Sequence, residues 1–191
     1  MSYCQPEDVR AYVSIFQNKY DKLETEEQKT AYDEYIQEFI DRAEAYIDKN
    51  TGTKFSITEE ERTFYRTDDN FFNTPDFVEI IRVDDLDGNE ITDYKAYPPQ
   101  FNVKNMIETP SHADDIVVNA KWGTVDPDGS GGWQTPSDIV QATLMITARL
   151  MKRGDFIFGT QGDVRNQVTV NTAIPADNDV MMILEPYKTW L

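Results

Sequence analysis

The sequence predicts a mainly α chain with a β insertion, an α+β protein built as a small helical bundle with an antiparallel hairpin region. Three observations lead there. Apolar residues recur at helical spacing near both ends, short β-rich runs fill the middle from about residue 58 to 123, and loops rich in glycine and proline separate the two patterns. At 191 residues the chain has room for one core with extensions rather than two ordinary domains. The expected division is a helical core over residues 1–157 carrying the β insertion, then an extended arm over 158–191 that ends in a short helix.

The first helix is expected to start at Pro6, whose fixed φ suits the first helical position, with Glu7 and Asp8 complementing the helix dipole. Val9, Tyr12, Val13 and Phe16 then form one apolar stripe. Asp21 to Lys29 lacks apolar periodicity and reads as an exposed connection. Tyr32, Ile36, Phe39, Ile40, Ala43 and Ile47 define the second helix, which Asn50-Thr51-Gly52 should stop.

In the middle, Arg62 to Tyr65, Phe77 to Val83 and Ile116 to Trp122 read as strands, and Asp87-Gly88-Asn89 as a hairpin turn. Pro98-Pro99 and Thr109-Pro110 mark loops or edges, because proline cannot donate to a strand ladder. Asp126 to Gly132 is a flexible loop. Thr135-Pro136 should cap and start a third helix running to about Arg153, with Gly154 ending it.

That third helix carries Ile139, Val140, Ala142, Leu144, Met145, Ile146, Ala148, Leu150 and Met151 on more than one face. Such a helix is touched on two sides, and a neighbouring subunit is one way to supply the second. Beyond it come the glycine-punctuated segment Phe158 to Gly162, a β-like run from Val164 to Asn171, and a short helix near Asp179 to Leu184 broken by Pro186. Tyr187, Trp190 and Leu191 finish the chain with side chains common at interfaces.

Composition narrows function. Eighteen basic against 35 acidic residues give a net charge of −17. Such a field repels nucleic acid and anionic membrane unless a local basic patch intervenes. The one cluster, Arg149, Lys152 and Arg153, is read as a helix end where cations meet the dipole. A single cysteine, Cys4, excludes an internal disulfide and a cysteine-built zinc cage. The opening residues have neither a basic region nor an apolar run, so a soluble cytoplasmic product is expected.

No catalytic set emerges, and neither a cofactor nor a metal is expected. The lone histidine, His112, stands in a loop with no nucleophile to serve. Gly129 to Gly132 lacks the lysine and Ser/Thr of a phosphate-binding loop, and Gly159 to Gly162 lacks a dinucleotide pattern. Asp85, Asp87 and Asn89 alternate as in a calcium loop, but Glu90 stands where glycine is needed and Ala96 where a glutamate is needed.

Five segments, in order, resemble tailed-virus head-tail connector proteins of the siphovirus-like adaptor (head completion) family. They are Tyr3 to Arg10; the helix Ile36 to Gly52 with Ala45-Tyr46-Ile47-Asp48 and the turn Thr51-Gly52-x-x-Phe55; Val117 to Gly123, ending in Trp-Gly; Pro136-x-x-Ile139-x-x-Ala142; and Asp179-Val180-x-x-Ile183-Leu184-x-Pro186-Tyr187. Gln5 in place of a Ser/Thr cap, the long charged connection and the expanded Asp126 to Gly132 loop depart from the pattern and bear on loop geometry.

The resemblance implies a non-enzymatic virion protein of the neck, present in host cytoplasm during assembly. It would be a homo-oligomeric ring of about twelve subunits under the portal protein, joined distally to a tail or neck protein. Genomic DNA would pass through the lumen without specific binding. Portal contacts would fall on Leu184, Pro186, Tyr187, Trp190 and Leu191, and subunit contacts on Ile139, Met145, Leu150, Val168 and Val170. A neck stopper or tail-terminator ring is the nearest alternative, and a metal-dependent hydrolase a remote one. In a channel the acidity would keep DNA from adhering, although adaptation of the whole surface to high salt would read the same way.

Overall fold

A computed structural model of the chain describes residues 2–66, 70–110, 115–158 and 178–188. They form two compact units: Thr53–Pro136, and Ser2–Gly52 joined to Ser137–Leu191.

The helical unit contains α1 (Pro6–Tyr12), α2 (Ser14–Tyr20), α3 (Glu26–Thr51), α4 (Ser137–Phe158) and α5 (Asn178–Leu184), with a 3-10 turn at Glu185–Tyr187. The first helix departs from expectation, because Val13 is extended at φ −126°, ψ 100° and divides it in two. The break keeps Val9 and Phe16 buried while turning Tyr12 outward, 44% exposed. A single straight helix would have kept all four residues on one stripe.

α3 starts earlier than the apolar pattern indicates. Thr25 accepts from the Gln28 amide at 3.2 Å, and the Gln28 side-chain oxygen accepts from the Thr25 amide at 3.3 Å, a reciprocal capping box within the charged stretch. Gly52 at φ +74° ends α3 where expected. Arg10 is buried between these helices, its guanidinium 3.9 Å from the Tyr20 ring centroid and ion-paired with Asp33. A buried cation is tolerated only when paired in this way.

α4 passes through Gly154 to Phe158, so the expected stop at that glycine is wrong. Glycine inside a helix costs about 1 kcal/mol against alanine, which lowers stability without forcing an end. The Thr135 hydroxyl does not cap α4; it donates to the Phe55 carbonyl at 3.0 Å. The helical core gathers Cys4, Val9, Phe16, Ile36, Phe39 and Ile40 with Ala148 and Met151 of α4.

The other unit is a five-stranded antiparallel sheet in the order β1-β5-β2-β4-β3, a larger β component than a hairpin region, so the class is mixed α+β. Its strands are β1 (Thr58–Tyr65), β2 (Phe71–Asp85), β3 (Lys95–Tyr97), β4 (Lys104–Glu108) and β5 (Asp115–Trp122). A small hairpin pairs β6 (Asp126–Pro127) with β7 (Trp133–Gln134), which gives partial order to the loop read as flexible.

β5 alternates strictly, burying Ile116, Val118, Ala120 and Trp122. β2 hides its alternation because its pairing with β5 shifts between Phe77 and Glu79 and again between Ile80 and Arg82. Each bulge adds one residue. Phe77, Ile80 and Val83 therefore oppose Trp122, Ala120 and Val118 on the core face despite their odd spacing. The turn after β2 forms as expected, with Gly88 at φ +84°.

Candidate assembly surface

The residues assigned to contacts from sequence divide by burial. In α5, Val180 and Leu184 are fully buried, and the Tyr46 hydroxyl lies 3.9 Å from the Met181 sulfur. The next turn is tied down as well. The Tyr187 hydroxyl donates to the Asp138 carboxylate, with both oxygens at 2.8 Å, and Lys188 pairs with Glu185. Leu184 therefore belongs to the helical core, Pro186 is exposed and Tyr187 is half-buried on α4. Trp190 and Leu191 lie outside the described residues.

On α4, Ile139 is fully buried and Met145 and Leu150 are half-buried; Val168 and Val170 of the arm lie outside the described residues. The apolar excess of α4 is largely met inside the unit, where α1, α3 and α5 pack on it. The side chains still offered to solvent are others: Met182 at 74%, Ile15 at 53%, Tyr12 and Tyr35 on the helical unit, and Tyr65, Phe71, Ile81, Leu86 and Phe101 on the sheet unit. Sequence periodicity missed these because it assigned Tyr12 and Ile81 to regular elements that a break and a bulge rotate.

Electrostatics corrects one reading. Arg149, Lys152 and Arg153 do not occupy the last turn of α4, which runs on to Phe158. The dipole attraction fades within a turn, so it does not account for the cluster.

The two acidic loops organise themselves. The Asp85 carboxylate accepts from the Asn89 side chain at 2.9 Å and from the Asn89 and Asp87 amides at 2.8 and 2.9 Å. These donors, Asn89 foremost, hold its carboxyl below the usual range. Asp128 is held low in the same way by the Ser130 and Gly132 amides and the Ser130 hydroxyl. In both loops the carboxylate oxygens accept N–H bonds from their own turn and so tie it together. Among the described residues no group of three His, Cys, Asp or Glu side chains could hold a metal ion.

Burial pushes the Cys4 thiol up to about 12, helped by Asp8 and Glu44. It is not poised as a nucleophile. His112 lies outside the described residues. A half-open groove of roughly 300 Å³ in the sheet unit is lined by Phe55, Ile57, Val125 and Trp133 together with Ser56, Gln134, Thr135 and Lys121, and no acid-base pair converges on it.

No family model matches the chain, and no curated protein matches it. Two solved structures share its fold. One is a chain described as the neck of an empty GTA particle computed with C6 symmetry, 14% identical, with a TM-score of 0.53 over 93% of this chain and 89% of that one. The second is from the neck of a native GTA particle computed with C12 symmetry, also 14% identical, with a TM-score of 0.51 over 97% of this chain and 91% of that one. A further likeness, to a chain from the virion of a native gene transfer agent particle, has a TM-score of 0.43. The chain is thus similar in fold to chains from GTA necks along nearly its whole length.

Proposed function

We propose that this chain is a structural neck protein of a tailed virus or virus-like particle, an adaptor subunit that forms a ring under the portal and extends the DNA channel toward the tail. The observation that carries the reading is the fold shared with a chain of a C12-symmetric neck over 97% of this sequence. A subunit in such a neck works by shape and contact and needs no chemistry.

On this reading the acidic lumen repels the DNA phosphates that slide past it. The C-terminal turn docks as part of α5, with Pro186 and Tyr187 facing the portal and Leu184 supporting them from the core. Trp190 and Leu191 complete that contact. Met145, Leu150 and the arm residues Val168 and Val170 make ring contacts, with Ile139 as their packed base. The larger sheet keeps a stopper or tail-terminator ring as the alternative, since those rings are expected to be richer in strands.

Imaging particles that carry this protein tests the choice. Density for a ring of this chain directly beneath the portal is the expected result. A position one layer away selects the alternative, and purified protein that stays monomeric with portal present removes the ring.

A further inference from the structure

We infer that the outer edge of β1 is a docking edge for residues 164–171 of a second copy of this chain, which extends the sheet by one strand. The inference deepens the ring reading above by naming the edge and the segment that join neighbouring subunits.

β1 stands at one end of the sheet, and among the described residues it pairs only with β5, through all eight positions from Thr58↔Trp122 to Tyr65↔Asp115. The opposite end is closed by β3, only three residues long. A long edge strand is a template for another strand unless it is blunted.

Charge decides which strand it accepts. Glu59, Glu60 and Glu61 are consecutive and exposed along this edge. Arg62 meets Glu60, its Nε donating at 2.6 Å, and leans over the Trp122 ring at 4.6 Å. Glu59 and Glu61 share the solvent face. Two such edges brought together would set glutamates against glutamates, which is destabilising across a strand pair. β1 therefore rejects a second β1 and selects a strand free of acid.

In a chain with net charge −17, Val164 to Ala176 is such a stretch, with no acidic residue and one arginine. Over 164–171 the sequence alternates Val164, Asn166, Val168 and Val170 with Arg165, Gln167, Thr169 and Asn171. Placed beside β1, the valines extend the face that carries half-buried Phe64, and Arg165 comes to the face of Glu59 and Glu61. Residues 159–177 have a contour of about 60 Å, and because Phe158 and Asn178 at their ends both belong to the helical unit, the segment can project by about half of that.

The test uses full-length protein with single substitutions. Chains carrying Glu61→Cys are mixed with chains carrying Arg165→Cys under mild oxidation, with Glu34→Cys on α3 replacing Glu61→Cys as the control; native Cys4 is buried and stays silent. The expected result is a mixed disulfide dimer forming several-fold faster than in the control. In a Thr63→Cys plus Gln167→Cys pair, which shares a parallel register with Glu61 opposite Arg165, Arg165→Glu should slow coupling by about two- to fivefold, the range of an exposed ion pair, and Glu59→Lys with Glu61→Lys should restore it.

Coupling no faster than the control overturns the inference. So does a chain carrying both Glu61→Cys and Arg165→Cys that closes only on itself. Failure here with a ring still seen beneath the portal removes the edge pairing and leaves the adaptor reading standing. Coupling in a protein that imaging places outside the neck does the reverse.

Discussion

Gly123 offers the sharpest test of the sheet unit, and Gly123→Ala is the perturbation. Its φ is +141°, a backbone region that L side chains rarely adopt, and a Cβ built there would lie 2.4 Å from the Ser56 carbonyl oxygen and 3.1 Å from its carbon. Both atoms are backbone, and they are held in place. The Gly123 amide donates to Asp76 O at 2.8 Å, the Thr124 amide to Lys54 O at 2.8 Å, and the Asp76 carboxylate accepts from the hydroxyls of Thr53 and Thr124. The strained backbone costs about 1–3 kcal/mol and the forced contact about as much again, so the substitution should destabilise by roughly 2–5 kcal/mol.

That is a large share of the ~5–15 kcal/mol that holds a domain folded. Gly88→Ala is the internal comparison, since Gly88 also has positive φ, +84°, but nothing lies within 4 Å of its Cβ position. Only the backbone cost of about 1–2 kcal/mol applies there. The assay is a urea titration followed by tryptophan emission in chains carrying Trp133→Phe and Trp190→Phe, which leaves Trp122, buried in the sheet core, as the reporter. The Gly123→Ala midpoint should drop by roughly 1–3 M and that of Gly88→Ala by a fraction of this. Equal midpoints for the two variants would refute the claim that the Ser56 carbonyl closes the space.

Three further outcomes follow from local geometry. Thr25→Ala removes the capping box of α3 and should cost about 1 kcal/mol, read as faster amide exchange across its first turn; unchanged exchange would show that the cap is idle. Asp85 has its folded carboxyl below the unfolded value near 3.9, so its contribution is intact above about pH 4 and is lost as pH falls through the folded value. Asp85→Asn should therefore flatten the acid side of the thermal-stability profile, and identical slopes would count against the loop bonds. Cys4, with its thiol pushed up to about 12, should resist alkylation at pH 8 in the folded protein and react on unfolding, as mass spectrometry would record.

What the sequence revealed, and what it hid, has local causes. Pro6, the α3 stripe from Ile36 to Ile47, the Gly52 stop and the strict alternation of β5 were legible because each depends on residues a few positions apart. Strand order was not, since β1 pairs with β5 across 50 to 64 residues and no local signal carries that. The break at Val13 and the two bulges of β2 defeated periodicity in the same way: each inserts one residue that breaks the repeat while the burial it serves is preserved. The capping box at Thr25 was readable in Thr25-Glu26-Glu27-Gln28 and was masked by the surrounding charge. For the assembly surface, aromatic and apolar character near the C-terminus was visible, but the burial of Leu184 in its own core was not, because it depends on how α5 meets α3 and α4.

The packing of α4 bears directly on how such a subunit would associate. Its sequence is apolar on several faces, yet Ile139, Ala142, Ile146, Ala148 and Met151 are buried within the helical unit, and the first two turns meet the C-terminal turn through Asp138 and Tyr187. What α4 itself leaves for a neighbour is modest, half-buried side chains such as Met145 and Leu150, while the exposed apolar side chains lie elsewhere, at Met182, Ile15, Tyr12 and Tyr35 and on the sheet unit. Specific stable interfaces bury on the order of 800 Å² per partner, and the partly covered side chains of α4 alone fall short of that. On the proposed ring reading, the rest of the interface comes from the exposed side chains of other elements and from backbone pairing along the β1 edge. The isolated chain is then expected to be monomeric at micromolar concentration, as light scattering would record, with the proposed portal contact as the template for ring closure. A stable ring formed by the isolated chain would show that the helical faces bury far more on association than their packing in one subunit allows.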